Sequence, residues 1–103
     1  MIYKIVYNPD ATLDLICIKA YIKYALKNPK AADKIWGNIN KAISLLDFSP
    51  KRYAIAFKLS DNLEVHRMPV GKYNVYYSVD DENQTITIHN IVYSGVDINQ
   101  IAN

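Results

Sequence analysis

Residues 64–97, EVHRMPVGKYNVYYSVDDENQTITIHNIVYSGVD, carry the strongest structural signal in this chain. The stretch contains three runs in which β-branched, aromatic and aliphatic residues alternate with polar residues. This alternation is typical of strands with one buried face. Gly71 lies between the first two runs, where a tight turn needs a positive φ. Residues 80–83, Asp-Asp-Glu-Asn, are predicted to form the loop between the second run and the third. The segment therefore predicts three consecutive antiparallel strands.

The third run changes phase along its length. Ile86 and Ile88 share one parity, whereas Ile91 and Tyr93 share the other. One extra residue in this strand would place all four side chains on the same face. A β-bulge is therefore predicted near residues 89–90.

The turn at Gly71 decides which side chains share a face of the sheet. A two-residue loop of Val70 and Gly71 would place Arg67 opposite Asn74 and both on the face that points away from the helices. His66 would then fall on the core side, near the edge of the sheet. The same register places Val65 opposite Tyr76 on the outward face, with Met68, Tyr73 and Val75 packed inward.

Two amphipathic helices are predicted before these strands. Residues 8–10 (Asn-Pro-Asp) and 28–29 (Asn-Pro) each offer an asparagine cap followed by a proline suited to the first turn, and Ser49-Pro50 ends the second helix. Apolar residues recur at helical spacing in both helices. In the first helix they are Leu13, Ile16, Cys17, Ala20, Tyr21 and Tyr24, and Leu15, Ile18 and Ile22 widen this stripe. In the second helix they are Ala32, Ile35, Trp36, Ile39, Ile43 and Leu46. The first helix is expected to be buried over more than half of its circumference, with Cys17 as a buried, inert thiol.

An apolar run at residues 2–7, IYKIVY, predicts one more strand before the helices. Residues 51–63 are ambiguous, because they could hold either a short turn or an irregular strand. The element order is then β-α-α-β-β-β. This is an α+β fold in which a two-helix hairpin covers one face of a mostly antiparallel four-stranded sheet. At 103 residues, the chain is expected to form a single domain over residues 1–103.

Composition argues against several classes of protein. The N-terminal sequence shows no secretory leader, and no run approaches the ~18 apolar residues of a membrane span, so a cytoplasmic location without membrane contact is expected. The two histidines, His66 and His89, have no metal-ligand spacing, and the three glycines are scattered. No metal and no small-molecule cofactor is therefore expected. The single cysteine excludes an internal disulfide.

The charges are unevenly distributed although the net charge is only +2. All twelve Lys and Arg residues lie in residues 1–79, together with six acids, whereas residues 80–103 hold four acids and no Lys or Arg. The body of the domain is therefore cationic. Such a body can attract RNA or an acidic protein partner, although many surface lysines simply keep helices hydrated.

A few residues could carry out chemistry on RNA. Cleavage without a metal needs a base for the 2′-hydroxyl, a cation for the charge on phosphorus and an acid for the leaving oxygen. His66 or His89 could be the base or the acid, Arg67 the cation, and Tyr93 a stacking group or proton donor. A simpler structural interpretation exists for the histidines, as hydrogen-bonded strand residues, and for Tyr93, as a core residue. Arg67 is the exception, because it is one of only two arginines and lies centrally in a strand.

The order and spacing of five segments resembles the RelE/ParE family of small bacterial toxins, in its ParE-like, plasmid-stabilisation branch. The segments are IYKIVYNPDATLDL, NPKAA, LLDFSP, MPVGKYNVYYSVDDE and ITIHNIVYSGVDI. The resemblance implies a growth-inhibiting cytoplasmic toxin of a type II toxin–antitoxin module, neutralised by a cognate antitoxin that wraps over it. One branch of the family cleaves mRNA on the ribosome, and another poisons DNA gyrase.

The resemblance also shows departures that bear on the target. Members of the family often carry arginine at positions that hold His66, Asn74, Asn90 and Val96 in this chain. This thin cationic cluster favours inhibition of DNA gyrase, or another binding activity. The first alternative is a ribosome-dependent mRNA endonuclease, whose catalytic residues would be Arg67, His66 and Tyr93. The second is a degenerate toxin that only binds its antitoxin.

Overall fold

A computed structural model describes residues 3–95 of the chain. Two helices cover one face of a five-stranded sheet, whose strands lie in the order β1-β5-β4-β3-β2. The elements are β1 (Lys4–Tyr7), α1 (Pro9–Ala20), a π-helical turn (Tyr21–Ala25), α2 (Pro29–Ser44), a 3-10 turn (Leu45–Asp47), β2 (Ile55–Ser60), β3 (Leu63–Val70), β4 (Tyr73–Asp80) and β5 (Thr85–Tyr93). Among residues 3–95, no helix has the length and apolarity needed to cross a membrane.

The α+β class and the helix hairpin are confirmed, but the sheet has five strands and is mixed. The additional strand, β2, lies within the segment that was ambiguous in the sequence. It forms an edge of the sheet, most of its residues are exposed, and its pairing with β3 contains two register shifts. The alternation of a half-buried strand is therefore missing from its sequence. Because the helix hairpin crosses over the sheet, β1 pairs in parallel with β5, and the other pairs are antiparallel.

Both predicted helix starts are confirmed. The side-chain oxygen of Asn8 accepts a hydrogen bond from the N–H of Asp10 at 3.2 Å, and that of Asn28 accepts one from the N–H of Ala31 at 3.1 Å. Each asparagine thus satisfies one of the amide donors that a helix leaves free at its start. Pro9 follows the first cap directly, where the absence of an N–H costs nothing.

The hydrophobic core lies between the helix layer and one face of the sheet. The apolar stripe predicted for α2 is confirmed, since Ala32, Ile39 and Ile43 are buried and Trp36 packs partly buried against the core. The core itself consists of Ala11, Leu15, Ile39, Ile43, Leu46, Met68, Val75, Tyr77, Ile86, Ile88 and Ile91.

α1 buries only part of the apolar surface that was predicted to be buried. Ala11, Leu15 and Ile22 are buried, and Ile18 packs partly buried against the core. The predicted apolar stripe is instead exposed, with Leu13 at 58% and Ile16 at 53% of their full accessible surface. Cys17 is exposed as well, so the expectation of a buried thiol is wrong. Residues 11, 15, 18 and 22 also recur at helical spacing, and the sheet accepts only one of two opposite stripes.

The pairing of β3 with β4 differs from the prediction by two residues. The connecting loop consists of Gly71 and Lys72, so Arg67 lies opposite Tyr76 and Pro69 opposite Asn74. A shift of two residues preserves parity, and the predicted faces of the sheet therefore hold. The positive φ predicted for Gly71 is confirmed at 58°.

The predicted bulge in β5 is confirmed. Tyr76 of β4 pairs with Asn90 and Tyr77 pairs with Ile88, which leaves His89 as the extra residue. Downstream of the bulge, β5 extends past the end of β1. The N–H of Ile91 there donates to the carboxylate of Asp14 in α1 at 2.9 Å. The carboxylate of Asp14 thus links the bulge to the helix layer.

Candidate functional site

The sheet has one face that the helices leave uncovered, termed here the open face. Tyr77 and Val75 belong to the core, so their neighbour Tyr76 points the other way. Arg67 lies opposite Tyr76 and shares its face. The open face is made of Phe57, Val65, Arg67, Tyr76, Ser78 and His89.

Arg67 stands at the centre of this face as an exposed cation. Its backbone is fixed, because its N–H donates to the carbonyl of Ala54 at 2.9 Å. Within residues 3–95 its guanidinium forms no ion pair. The group is therefore available to an anionic ligand or to an acidic residue of another protein.

An apolar platform lies beside Arg67. Tyr76 is only 3% exposed although it faces away from the helices, and its ring centroid lies 6.1 Å from that of Phe57. Val65 is fully buried on the same face. Phe57 is partly exposed, so a ligand held by Arg67 can contact its ring, whereas Tyr76 and Val65 support that ring from below.

A serine–histidine pair occupies the other side of the open face. Ser78 and His89 are hydrogen-bonded through Oγ and Nε2 at 2.7 Å. Burial lowers the pKa of His89 below its ordinary value, so the ring is held in its neutral form. Ser78 was not identified from the sequence. The predicted bulge was the available signal, because the extra residue in β5 is what turns His89 onto the face of Ser78.

His66 lies on the core side of the sheet, as the strand parity predicts. Its ring stacks on Tyr77 with 5.2 Å between centroids and 18° between planes. Its Nδ1 is hydrogen-bonded to the carbonyl oxygen of Tyr53 at 2.8 Å. With the residue only 5% exposed, both the ring face and one nitrogen are already used in packing.

Tyr93 lies at the end of β5, on the helix side of the sheet. It pairs with Tyr73, and the two rings meet edge to face with 5.9 Å between centroids. Burial raises the pKa of Tyr73, and the nearby hydroxyls of Tyr93 and Tyr21 raise it further. The three phenols therefore cluster at one rim of a groove of about 780 Å³ between the helix hairpin and the β3–β4 turn. Lys34 and Lys72 also line this groove.

The structure does not bring the three predicted catalytic residues together. Arg67 projects from the open face, whereas His66 lies beneath the sheet and Tyr93 lies in the groove on the helix side. Arg67 does share its face with His89. Their roles in catalysis stay a prediction, and the geometry defines two separate surfaces instead of one catalytic centre.

The architecture is similar to that of solved toxin structures. A chain of the chromosomal ParDE system from P. aeruginosa matches with a TM-score of 0.70 and 18% identity, over 88% of this chain and 95% of that one. A chain of the archaeal RelE–RelB complex from Pyrococcus horikoshii matches with a TM-score of 0.63 and 19% identity, over 94% of this chain and 100% of that one. A chain of the E. coli RelBE complex matches with a TM-score of 0.60 and 13% identity, over 89% of this chain and 96% of that one. At these identities the matches show a common fold, that of the RelE/ParE-like toxins.

The sequence itself identifies the family. A family model described as ParE toxin of type II toxin-antitoxin system, parDE, matches residues 5–95. The chain therefore belongs to the ParE toxin family and is a toxin of a type II toxin–antitoxin system. No curated protein is similar enough in sequence to count as a match.

Proposed function

We propose that this toxin stops growth by binding DNA gyrase, or another large target, and not by cleaving RNA. The separation of His66, Arg67 and Tyr93 over two faces of the sheet carries the proposal. An acid, a base and a cation that act on one phosphate must each lie within about 3 Å of the atom they serve. A binding surface has no such requirement, because its contacts are spread over many residues.

The open face is the surface that we assign to the target. Arginine and tyrosine are enriched among the residues that dominate binding energies, above all where a partner desolvates them near the centre of an interface. Arg67 is exposed opposite Tyr76, on a strand that is not at the edge of the sheet, so a partner that covers the open face would desolvate its guanidinium. Arg67→Ala should therefore weaken target binding more than any other single substitution on this face.

One observation favours mRNA cleavage as the alternative. His89 lies on the same face as Arg67, and burial lowers its pKa. A neutral imidazole can accept a proton from a 2′-hydroxyl, and Arg67 can stabilise the charge that develops on phosphorus. In this alternative His89, and not His66, acts as the base.

The partner that we propose is a cognate antitoxin. The matched structures from Pyrococcus horikoshii and E. coli are complexes of RelE toxins with their RelB antitoxins. The cationic body of this chain suits an acidic partner, which by its charge would also be attracted over long distances. The site of action that we propose is the cytoplasm, because both candidate targets, gyrase and the ribosome, work there.

Pulse labelling after induction of the chain without antitoxin tests the proposal. Incorporation of thymidine and of methionine is followed separately in the same culture. We expect DNA synthesis to fall first, together with a DNA-damage response. Protein synthesis that falls first, with cleaved mRNA, would refute gyrase as the target and support the alternative. Unimpaired growth with folded toxin present would refute both and leave a toxin that only binds its antitoxin.

Two arginine variants make the test specific to the open face. Arg67→Ala should abolish growth inhibition while lowering the free energy of unfolding by less than about 1 kcal/mol, as for an exposed side chain. Arg52→Ala is the matched control, because Arg52 is the other arginine of the chain and is also exposed, with its guanidinium 5.1 Å from the ring of Tyr53. Equal toxicity of the two variants would refute the assignment of the target to the open face.

A further inference from the structure

The groove between the helix hairpin and the β3–β4 turn has a volume of about 780 Å³. Ile35 lines it from α2, and Val70, Tyr73 and Tyr93 line it from the sheet. Tyr93 keeps 51% of its surface exposed there. Pockets of about 300–1,000 Å³ hold a whole small organic ligand, so this groove has room for several side chains. Residues 3–95 therefore leave an apolar groove that they do not fill.

The chain leaves the sheet at the edge of this groove. The N–H of Ser94 donates to the carbonyl oxygen of Lys72 at 2.8 Å, and Lys72 and Tyr93 both line the groove. A Cβ added at Gly95 would lie 3.0 Å from the ring of Tyr93, so the backbone of Gly95 packs closely against that ring. The last residues that the structure describes thus lie against the wall of the groove.

The sequence that follows suits an apolar groove. Residues 96–103, VDINQIAN, contain the large aliphatic residues Val96, Ile98 and Ile101. An extended chain advances about 3.3–3.6 Å per residue, so Ile98 lies within about 10 Å of Gly95 along the chain. That reach is enough to cross the groove, because packed layers of secondary structure lie about 10 Å apart. Burial of these side chains would remove apolar surface from water.

The charges match as well. Lys34 and Lys72 line the groove and are exposed, and within residues 3–95 neither forms an ion pair. Asp97 is the only charged side chain in residues 96–103. It follows Gly95 by two residues, and the backbone there is already fixed to Lys72 through Ser94. A carboxylate at this position is attracted to the lysines at the groove.

A segment of the same chain has an advantage over any separate occupant. A short flexible connection gives its two ends an effective concentration of the order of millimolar. A second copy of the chain, or another protein, would have to compete with that value from its own concentration in solution. The groove is therefore filled first from within the chain.

We propose that the groove between the helix hairpin and the β3–β4 turn binds the chain's own segment of residues 96–103. Ile98 and Ile101 pack between α2 and the sheet, and Asp97 faces Lys72. The segment then extends the hydrophobic core past the end of β5. The inference does not depend on which target the toxin has, and it leaves the open face as the surface assigned to that target.

Nuclear Overhauser contacts in the unaltered chain test the proposal directly. In a sample labelled at the isoleucine methyl groups, we expect cross-peaks from Ile98 or Ile101 to the methyl group of Ile35 and to the rings of Tyr73 and Tyr93. A second sample mixes labelled with unlabelled chains, and an isotope filter then detects only contacts between copies. We expect that filtered spectrum to show no contact between the segment and the groove.

Substitutions within the segment test its contribution to stability. Ile98→Asp combined with Ile101→Asp should lower the Tm by about 8 °C, because two buried aliphatic side chains are lost from the groove. Asn99→Asp combined with Gln100→Glu is the matched control, since it adds the same two charges at polar positions of the segment, and it should stay within about 2 °C of the parent. Asp97→Lys should lower the Tm by about 2–4 °C, and by less as salt rises.

Several outcomes would overturn the inference. One is the absence of contacts between the segment and the groove in the unaltered chain, and another is an equal Tm for the two double variants. Contacts that appear in the filtered spectrum would assign the groove to a second copy. A groove whose methyl signals shift only when antitoxin or gyrase is added would belong to a partner. None of these measurements uses growth arrest, so the proposed function can fail while this inference holds, and the reverse.

Discussion

Asp14 is the side chain whose loss should damage the fold most specifically, because it links α1 to the bulge of β5. Its carboxylate accepts hydrogen bonds from the N–H of Ile91 at 2.9 Å and from the side-chain amide of Asn90 at 3.5 Å. β4 pairs with β5 on one side of this point, but β1 on the other side ends at Tyr7, opposite Ile88, so within residues 3–95 the carboxylate takes the place of a neighbouring strand there. Asp14→Ala would leave the backbone donor of a residue with a buried side chain without a partner.

The structure sets the size of the effect. A buried donor without its partner costs about 1–3 kcal/mol, and a charged acceptor lies towards the upper part of that range. Asp14 is itself partly exposed, which allows water to replace some of the lost interaction. We expect a loss of about 2 kcal/mol in the free energy of unfolding. In a domain of this length that corresponds to a decrease of about 8–16 °C in Tm.

Urea unfolding followed by the fluorescence of Trp36, the only tryptophan, measures this loss. Asp14→Asn keeps one acceptor oxygen without the charge and should lose about half as much. Asp33→Ala is the control, because that carboxylate is exposed and its ion pair with Lys19 spans 3.7 Å, so it should stay within about 0.5 kcal/mol of the parent. If Asp14→Ala unfolds at the same urea concentration as Asp33→Ala, the anchoring role of Asp14 is refuted. Amide exchange at Ile91 that stays slow in Asp14→Ala would contradict it as well.

Three further substitutions test other parts of the fold. Burial lowers the pKa of His89 below its ordinary value, so the unfolded chain binds a proton at this residue more readily than the folded chain does. The free energy of unfolding should therefore fall as the pH drops from 7 to 5. In urea titrations, His89→Gln should make this fall with pH less steep. Tyr77→Phe should cost about 1–2 kcal/mol, since the hydroxyl donates to the carbonyl of Pro50 at 2.5 Å inside the protein, whereas Tyr21→Phe on the surface should cost nothing measurable. Gly71→Ala should lose about 1–2 kcal/mol in the same unfolding assay, because its φ of 58° strains any residue with a Cβ.

Local signals in the sequence predicted much of this fold. Asn8 and Asn28 cap their helices because the side-chain oxygen of asparagine can accept a hydrogen bond from an N–H group that the helix start leaves free. The bulge in β5 followed from the slipped parity of its isoleucines, since a strand cannot bury both parities without an extra residue. In each case the physical cause lies within a few residues, so the chain alone contains the information.

Long-range choices could not be predicted in the same way. The β3–β4 loop uses Gly71 and Lys72 instead of Val70 and Gly71, because either pair closes a hairpin and only packing selects between them. The segment that contains β2 stayed ambiguous between a short turn and an irregular strand, since an exposed edge imposes no alternation. Residue type grouped His66, Arg67 and Tyr93 as catalytic candidates, although the strand parity already predicted that His66 and Arg67 lie on different faces; residue type does not report the distance between side chains.

The two apolar sides of α1 bear on how an antitoxin could neutralise this toxin. Apolar periodicity reports that a stripe avoids water, and it does not report whether the core or a partner covers it. The exposed side chains of Leu13 and Ile16 lie on the outer side of the helix layer, whereas Arg67 lies on the far side of the sheet. The helix layer, about 10–12 Å thick, and the sheet beneath it separate the two surfaces. A protein segment that contacts only α1 therefore cannot shield Arg67. If the open face meets the target, neutralisation requires an antitoxin segment that reaches the open face round an edge of the sheet. The exposed edge strand β2, whose residue Phe57 leads onto the open face beside Tyr76, offers the shorter path.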